Sequence, residues 1–126
     1  MKSVVISVII AAIVVAGSLV YTRSLEKVSS ELMTMNEKVS KYLEQEDYSS
    51  AESEIEHLKS YLNSREAVLD AIGNHEEIDK IEMNLYELEE YTKGEKQTDA
   101  LSRCHVLDFL FEHLPLNYKL KPENIL

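Results

Sequence analysis

The chain is poor in the residues that build closed chemical sites. It has one cysteine, Cys104, in 126 residues. That excludes a disulfide framework and any zinc site of the CxxC type. Its three glycines form neither GxGxxG nor GxxxxGK[ST], so no phosphate-cradling loop is present. Cations are scarce as well. Thirteen Lys and Arg face 23 Asp and Glu, a net charge of −10. Nucleic acid is excluded as a partner, because phosphate binding needs a basic footprint. There is no Trp, and there are only two Pro. With few helix breakers and many Glu, Leu, Lys and Ser, the composition favours helix. The length allows one domain.

What the chain has first is one long apolar run. Residues 4–21 read VVISVIIAAIVVAGSLVY and carry no charge. As a helix they span about 27 Å at roughly 1.5 Å per residue, close to the hydrocarbon thickness of a bilayer. Ten of the eighteen are Val or Ile. That favours strand in water, but in lipid a helix satisfies every backbone group within one segment. Tyr21 and Arg23 follow where an aromatic and a cation suit the interface. Two readings compete. In one, Lys2, an apolar stretch over 4–15 and the small residues Val14 and Ala16 make a cleavable signal peptide. In the other, residues 1–21 are a permanent transmembrane anchor in the lipid bilayer. The anchor is preferred, because the run continues through Leu19, Val20 and Tyr21, past the plausible cut. Lys2 before the span and Arg23 and Lys27 after it nearly balance. The short leading flank favours an N-terminus inside the cell membrane and the acidic remainder outside. Within the span, Ser7 with Ala11 and Ala12 with Ala16 are small-xxx-small pairs, the spacing that lets a second membrane helix approach.

Residues 22–126 read as helices. Leu25, Val28, Leu32, Met35, Val39 and Tyr42 make a heptad seam. It continues from the apolar run without a break and suits either an intramolecular bundle or a dimeric coiled coil. Asp47 is a candidate N-cap for a second helix, with Ser50 three residues on. That helix carries Ala51, Ile55, Leu58, Leu62, Leu69 and Ile72, and its seam is interrupted at Arg65 and Glu66. Gly73 suits a left-handed C′ position and Asn74 a following N-cap, so the two read as a tight turn between helices. A third helix has Ile78, Ile81, Leu85, Leu88 and either Tyr91 or Thr92, ending at Lys93 and Gly94. The fourth has Leu101, Cys104, Leu107, Phe111 and Leu114, and Pro115 closes it. The apolar tail beyond is expected to pack along the bundle. The predicted fold class is all-α: an N-terminal transmembrane helix followed by an antiparallel bundle of about four helices over residues 22–126.

Candidate chemistry is thin. Glu54 and His57 share the Glu-x-x-His spacing of di-iron bundles, but the motif occurs once and flanks apolar positions, so it reads as solvated surface. His75, Glu76, Glu77 and Asp79 crowd one helix start, where acids complement the macrodipole. Cys104 lies on an apolar face and the adjacent His105 points about 100° away, so no thiol–imidazole pair is expected. No GxSxG occurs. Arg65 is expected to lay its stem on apolar surface with its head in water. Neither a cofactor nor a bound metal is expected.

Several stretches together carry a resemblance. They are the short MKS start, the Val/Ile-rich span, LEKVSSEL at 25–32, DYSSAESEIEHL at 47–58, NHEEIDKIEMNL at 74–85, FLFEHLP at 109–115 and the closing ENIL. Over nearly its whole length the chain resembles the bacterial family called domain of unknown function 4363. The resemblance implies one N-terminal anchor, a helical outer domain and a place at the membrane of spore-forming Gram-positive bacteria. It supplies no catalytic residues.

Charge is the remaining guide. Residues 45–99 hold 16 acids and 5 bases, so the surplus sits on the second and third helices. The sequence therefore predicts a non-enzymatic, single-pass membrane protein whose acidic domain contacts another protein, for which an integral membrane protein is one candidate. The expected contact residues are His75, Glu76, Glu77, Asp79, Glu87 and Glu90. A cation- or pH-responsive bundle and a secreted, cleaved helical protein are the alternatives. Oligomeric state is left open.

Overall fold

The computed structural model describes residues 1–70 and 75–119, with side chains of the last helix described through Leu114. The described residues form five helices: α1 (Lys2–Glu44), α2 (Tyr48–Ser64), α3 (Glu66–Asp70), α4 (His75–Lys93) and α5 (Gln97–Lys119). No strand occurs among the described residues.

Helix α1 is 43 residues long without a break. Its apolar stretch is long enough to cross a membrane and is not buried by the rest of the chain. From Leu25 onward the same helix turns one face inward, burying Leu25, Val28, Ser29, Leu32, Asn36, Val39 and Leu43. This corrects the heptad reading. Met35 and Tyr42 flank the core half-buried, and Asn36 and Leu43 take the seam instead. A straight helix of 3.6 residues per turn drifts by about 20° per heptad, so its buried face steps forward by one residue.

Helices α2, α4 and α5 close a four-helix ring on α1. Helix α5 packs between α1 and α4, and α2 packs on α1 and meets α4. Cross-links fix the register of the α1/α5 pair. Ser29 Oγ donates to Phe111 O at 2.5 Å, Asn36 Nδ2 to Cys104 O at 2.8 Å, and Gln97 Nε2 to Leu43 O at 2.9 Å. Numbers rise in α1 as they fall in α5, so the two run antiparallel. Phe111, the largest fully buried side chain among the described residues, sits in this seam.

Both three-residue turns at the end of the bundle far from the apolar run are built alike. The N–H of Glu46 bonds Leu43 O and that of Asp47 bonds Tyr42 O. The N–H of Glu95 bonds Thr92 O and that of Lys96 bonds Tyr91 O. These are paired Schellman bonds. The left-handed residue is a glutamate each time, with φ of 56° at Glu46 and 55° at Glu95. Gly94 lies one position earlier. Burial, with the Glu46 and Glu95 carboxylates adding, pushes the Tyr48 phenol up.

Two expectations about helix ends fail. The second helix does not run unbroken to residue 72. It stops at Ser64, whose hydroxyl donates to Tyr61 O at 2.6 Å, and it restarts at Glu66 as α3. A side chain competing for its own helix's carbonyl loosens the turn. Leu69 is nevertheless buried. Nor does Pro115 close the last helix, which continues to Lys119. Proline has no N–H, so Phe111 O loses its usual donor four residues on. The Ser29 hydroxyl supplies the replacement, and that is how a proline is accommodated inside α5. The expected tail contact lies, beyond residue 119, outside the described residues, as do Gly73 and Asn74.

Candidate functional site

Helix α4 carries the clearest two-faced pattern. Ile81, Leu85, Leu88 and Thr92 point inward. At roughly 100° per residue the opposite stripe contains Glu76, Asp79, Met83, Tyr86 and Glu90. Met83 is 64% and Tyr86 66% exposed. Beyond the apolar run, only Phe109 among the described large apolar residues is comparably open, and it stacks on the His113 ring at 4.0 Å.

Beside this stripe, α2 and α4 leave a cleft of about 330 Å³, lined by Lys59, Leu62, Asn63, Glu82, Leu85, Tyr86 and Glu89. One edge is held by Glu89, which takes Lys59 Nζ at 2.7 Å and Lys93 Nζ at 2.9 Å. Hydrogen bonds from the two ammoniums hold the Glu89 carboxyl below its ordinary range. The same bond to Glu89 raises both Lys59 and Lys93. Glu89 is thus neutralised locally. Glu76, Asp79, Glu82 and Glu90 make no ion pair among the described residues.

Not all the sequence-predicted contact residues share this face. Asp79, Glu76 and Glu90 lie along it. His75 is exposed at the start of α4. Glu77 is half-buried, and Glu87 turns aside to Arg103 Nη1 at 3.1 Å. Sequence reasoning missed Met83 and Tyr86. The signal was there: two large apolar residues off the 81–85–88 seam.

A second cavity, about 650 Å³, runs between α1 and α5. Glu26, Glu37, Asp108 and Glu112 line it with several hydroxyls and His105. Cys104 lies at its base, fully buried, and desolvation pushes its thiol up to about 11. Such a thiol is not a nucleophile near neutrality. Asn36 is buried beside it, its Nδ2 also reaching Asp108 Oδ1 at 3.4 Å, while its Oδ1 has no partner among the described residues. Among the described residues no three His, Cys, Asp or Glu side chains converge as a metal set would require.

The other candidates have structural roles. Asp47 accepts from the Ser50 N–H at 3.2 Å and caps α2. His57 Nδ1 meets Glu54 Oε1 at 3.3 Å; His57 is open to solvent, but Glu54 is only 15% exposed, more covered than its sequence position suggested. Arg65 is exposed and lies 5.3 Å over the Tyr61 ring. In the apolar run, Ser7 and Ala11 line one shallow hollow, and the Ser7 hydroxyl bonds Ser3 O at 2.8 Å. Ala12 and Ala16 are exposed.

A family model described as a domain of unknown function, DUF4363, matches residues 19–125. No curated protein and no solved structure matches the chain.

Proposed function

We propose a function from one premise: the chain belongs to the DUF4363 family. The protein is a single-span membrane protein with its N-terminus inside, presenting an acidic, non-enzymatic helical bundle for contact with another protein. The observation that carries this reading is the continuity of α1. One 43-residue helix supplies an exposed, uncharged apolar stretch and then a wall of the bundle. A permanent anchor of that kind fixes the bundle at the lipid surface with no flexible linker. A signal peptide cut near residue 16 leaves the bundle helix intact, so processing has to be measured.

The test is fractionation of cells expressing the tagged full chain, with mass spectrometry of its N-terminus. Membrane retention through alkaline washing, with residues 1–21 intact, is expected. Removal of 1–21 should release a folded bundle into the soluble fraction. Unprocessed protein in that fraction, or a mature chain beginning after residue 16, sinks the anchor reading.

A second reading has one observation in its favour, the groove between α1 and α5 with its four carboxylates and His105. In it, the bundle responds to cations. Titration with Ca²⁺, Mg²⁺ and Zn²⁺ separates the two, because a ligand of the native state raises Tm. An unchanged Tm removes the second reading.

A further inference from the structure

We propose that the cleft between α2 and α4, with Tyr86 at its rim and Met83 in the adjoining hollow, docks a cationic amphipathic helix of a partner protein; this rests on the bundle being an interaction domain. The apolar half of the site is built. Leu62 and Leu85 form a buried floor, 7% and 5% exposed. Tyr86 stands between the cleft and a second hollow beside Met83 and Glu87. An incoming helix with apolar residues at i, i+3 and i+7 lays them against these side chains.

Charge selects the occupant. Glu82 lies at the cleft, and Asp79 and Glu90 flank it along α4, all outside any ion pair among the described residues. Two carboxylates here are already matched, Glu89 by Lys59 and Lys93 and Glu87 by Arg103. A Lys- or Arg-bearing helix meets the unmatched ones, which steer its approach and fix its orientation. A second copy brings the same acids face to face and is repelled. An acidic helix and an anionic lipid surface are repelled for the same reason. Tyr and Met are suited to such a place, since each offers a large contact area and Met adapts its shape.

The test uses the full chain in phosphatidylcholine nanodiscs with a photocrosslinking residue in place of Asn63. The probe is a synthetic Leu/Lys amphipathic helix of about 18 residues, with a Leu/Glu helix as its counterpart. The expected result is a crosslink to the Leu/Lys helix alone. Met83→Ser with Tyr86→Ser should cut the yield by about tenfold. Glu82→Gln with Glu90→Gln should cut it comparably at low salt, and that difference should vanish near 1 M salt, roughly. Glu37→Gln with Glu112→Gln removes the same charge from the α1/α5 side and should leave the yield within about twofold. All these positions are on the surface, and an unchanged Tm confirms folding. The proposal is overturned by equal crosslinking of the Leu/Glu helix, by no effect at Met83 and Tyr86, by an equal loss in the Glu37/Glu112 variant, or by crosslinks between two copies of the chain. The nanodisc result does not depend on N-terminal processing in cells, so failure of the anchor reading shows separately in the fractionation.

Discussion

Glu46 and Glu95 sit where glycine costs least. Each holds a left-handed backbone at the C′ position of a Schellman turn, a conformation that costs an L-residue roughly 1–2 kcal/mol. Glycine recovers most of that, less its greater entropy loss on folding. Glu46→Gly and Glu95→Gly are each expected to add up to about 1 kcal/mol, raising Tm by several degrees in thermal unfolding. A fall in Tm for both would show that the carboxylates do something the backbone argument misses. Gly94, one position earlier, has no such need. A Cβ there meets Glu90 O at 3.5 Å, ordinary contact, so Gly94→Ala should not destabilise. Cys104 permits a second prediction at this scale. With its thiol raised to about 11 by burial, about one molecule in a thousand is thiolate at pH 8. Modification by a disulfide reagent at pH 8 should therefore be far slower in the native protein than in denaturant. Fast native labelling would mean that the α1/α5 groove opens to Cys104.

At the scale of elements, the helices follow their apolar spacing and the exceptions follow hydrogen bonding. The inward faces of α2 and α4 were legible because Ile55, Leu58, Leu62, Ile81, Leu85 and Leu88 keep one period, and all are buried. The interruption of the seam at Arg65 and Glu66 was legible, but the stop of the helix itself at Ser64 and the passage through Pro115 were not, because a donor or competitor distant in space or off the seam decides them. The latter can be isolated. Ser29→Ala leaves Phe111 O without a donor at a cost of roughly 1–3 kcal/mol. Pro115→Ala gives that carbonyl a helical N–H again, so the same Ser29→Ala should cost much less in that background. Additive effects in the double-mutant cycle would refute the substitution of one donor for the other. The α2/α4 clamp adds a pH prediction. Glu89 has its folded pKa lowered from 4.5, so its contribution is present above the ordinary value and is lost as pH falls through the folded one. Tm should drop as the solution is acidified below pH 5, roughly, and Glu89→Gln should show a smaller acid drop and a Tm a few degrees lower at pH 7. Parallel pH curves for the two proteins would remove Glu89 from the account. The outer face of α4 was half legible. Its acids were visible as a charge surplus, but Met83 and Tyr86 became a surface only when the inward seam was fixed.

For the whole molecule, the proposed anchor makes the position of the bundle relative to the lipid the decisive feature. Tyr21, at the end of the apolar run, donates its hydroxyl to Val68 O at 2.9 Å. Helix α3 therefore sits level with the end of the apolar run, and α1 rises from there unbroken to Glu44. Twenty-three residues from Thr22 at about 1.5 Å each put the Glu46 and Glu95 turns roughly 35 Å beyond the end of the apolar run, which in the proposed anchor is the membrane boundary. A tilt of about 20°, the usual value for a spanning helix, shortens this by only a few ångströms. The bundle should stand upright, holding the α4 stripe along its flank, accessible from the side to a neighbour in the same membrane. Energy transfer measures this. With Cys104→Ala as background, a donor attached at Glu46→Cys should transfer weakly to acceptor-labelled lipid headgroups, and one at Glu66→Cys strongly. The ratio of the two efficiencies gives the height difference directly. Equal transfer from both positions would mean that the bundle lies flat on the lipid, with α4 facing the headgroups or the solvent instead of a lateral partner.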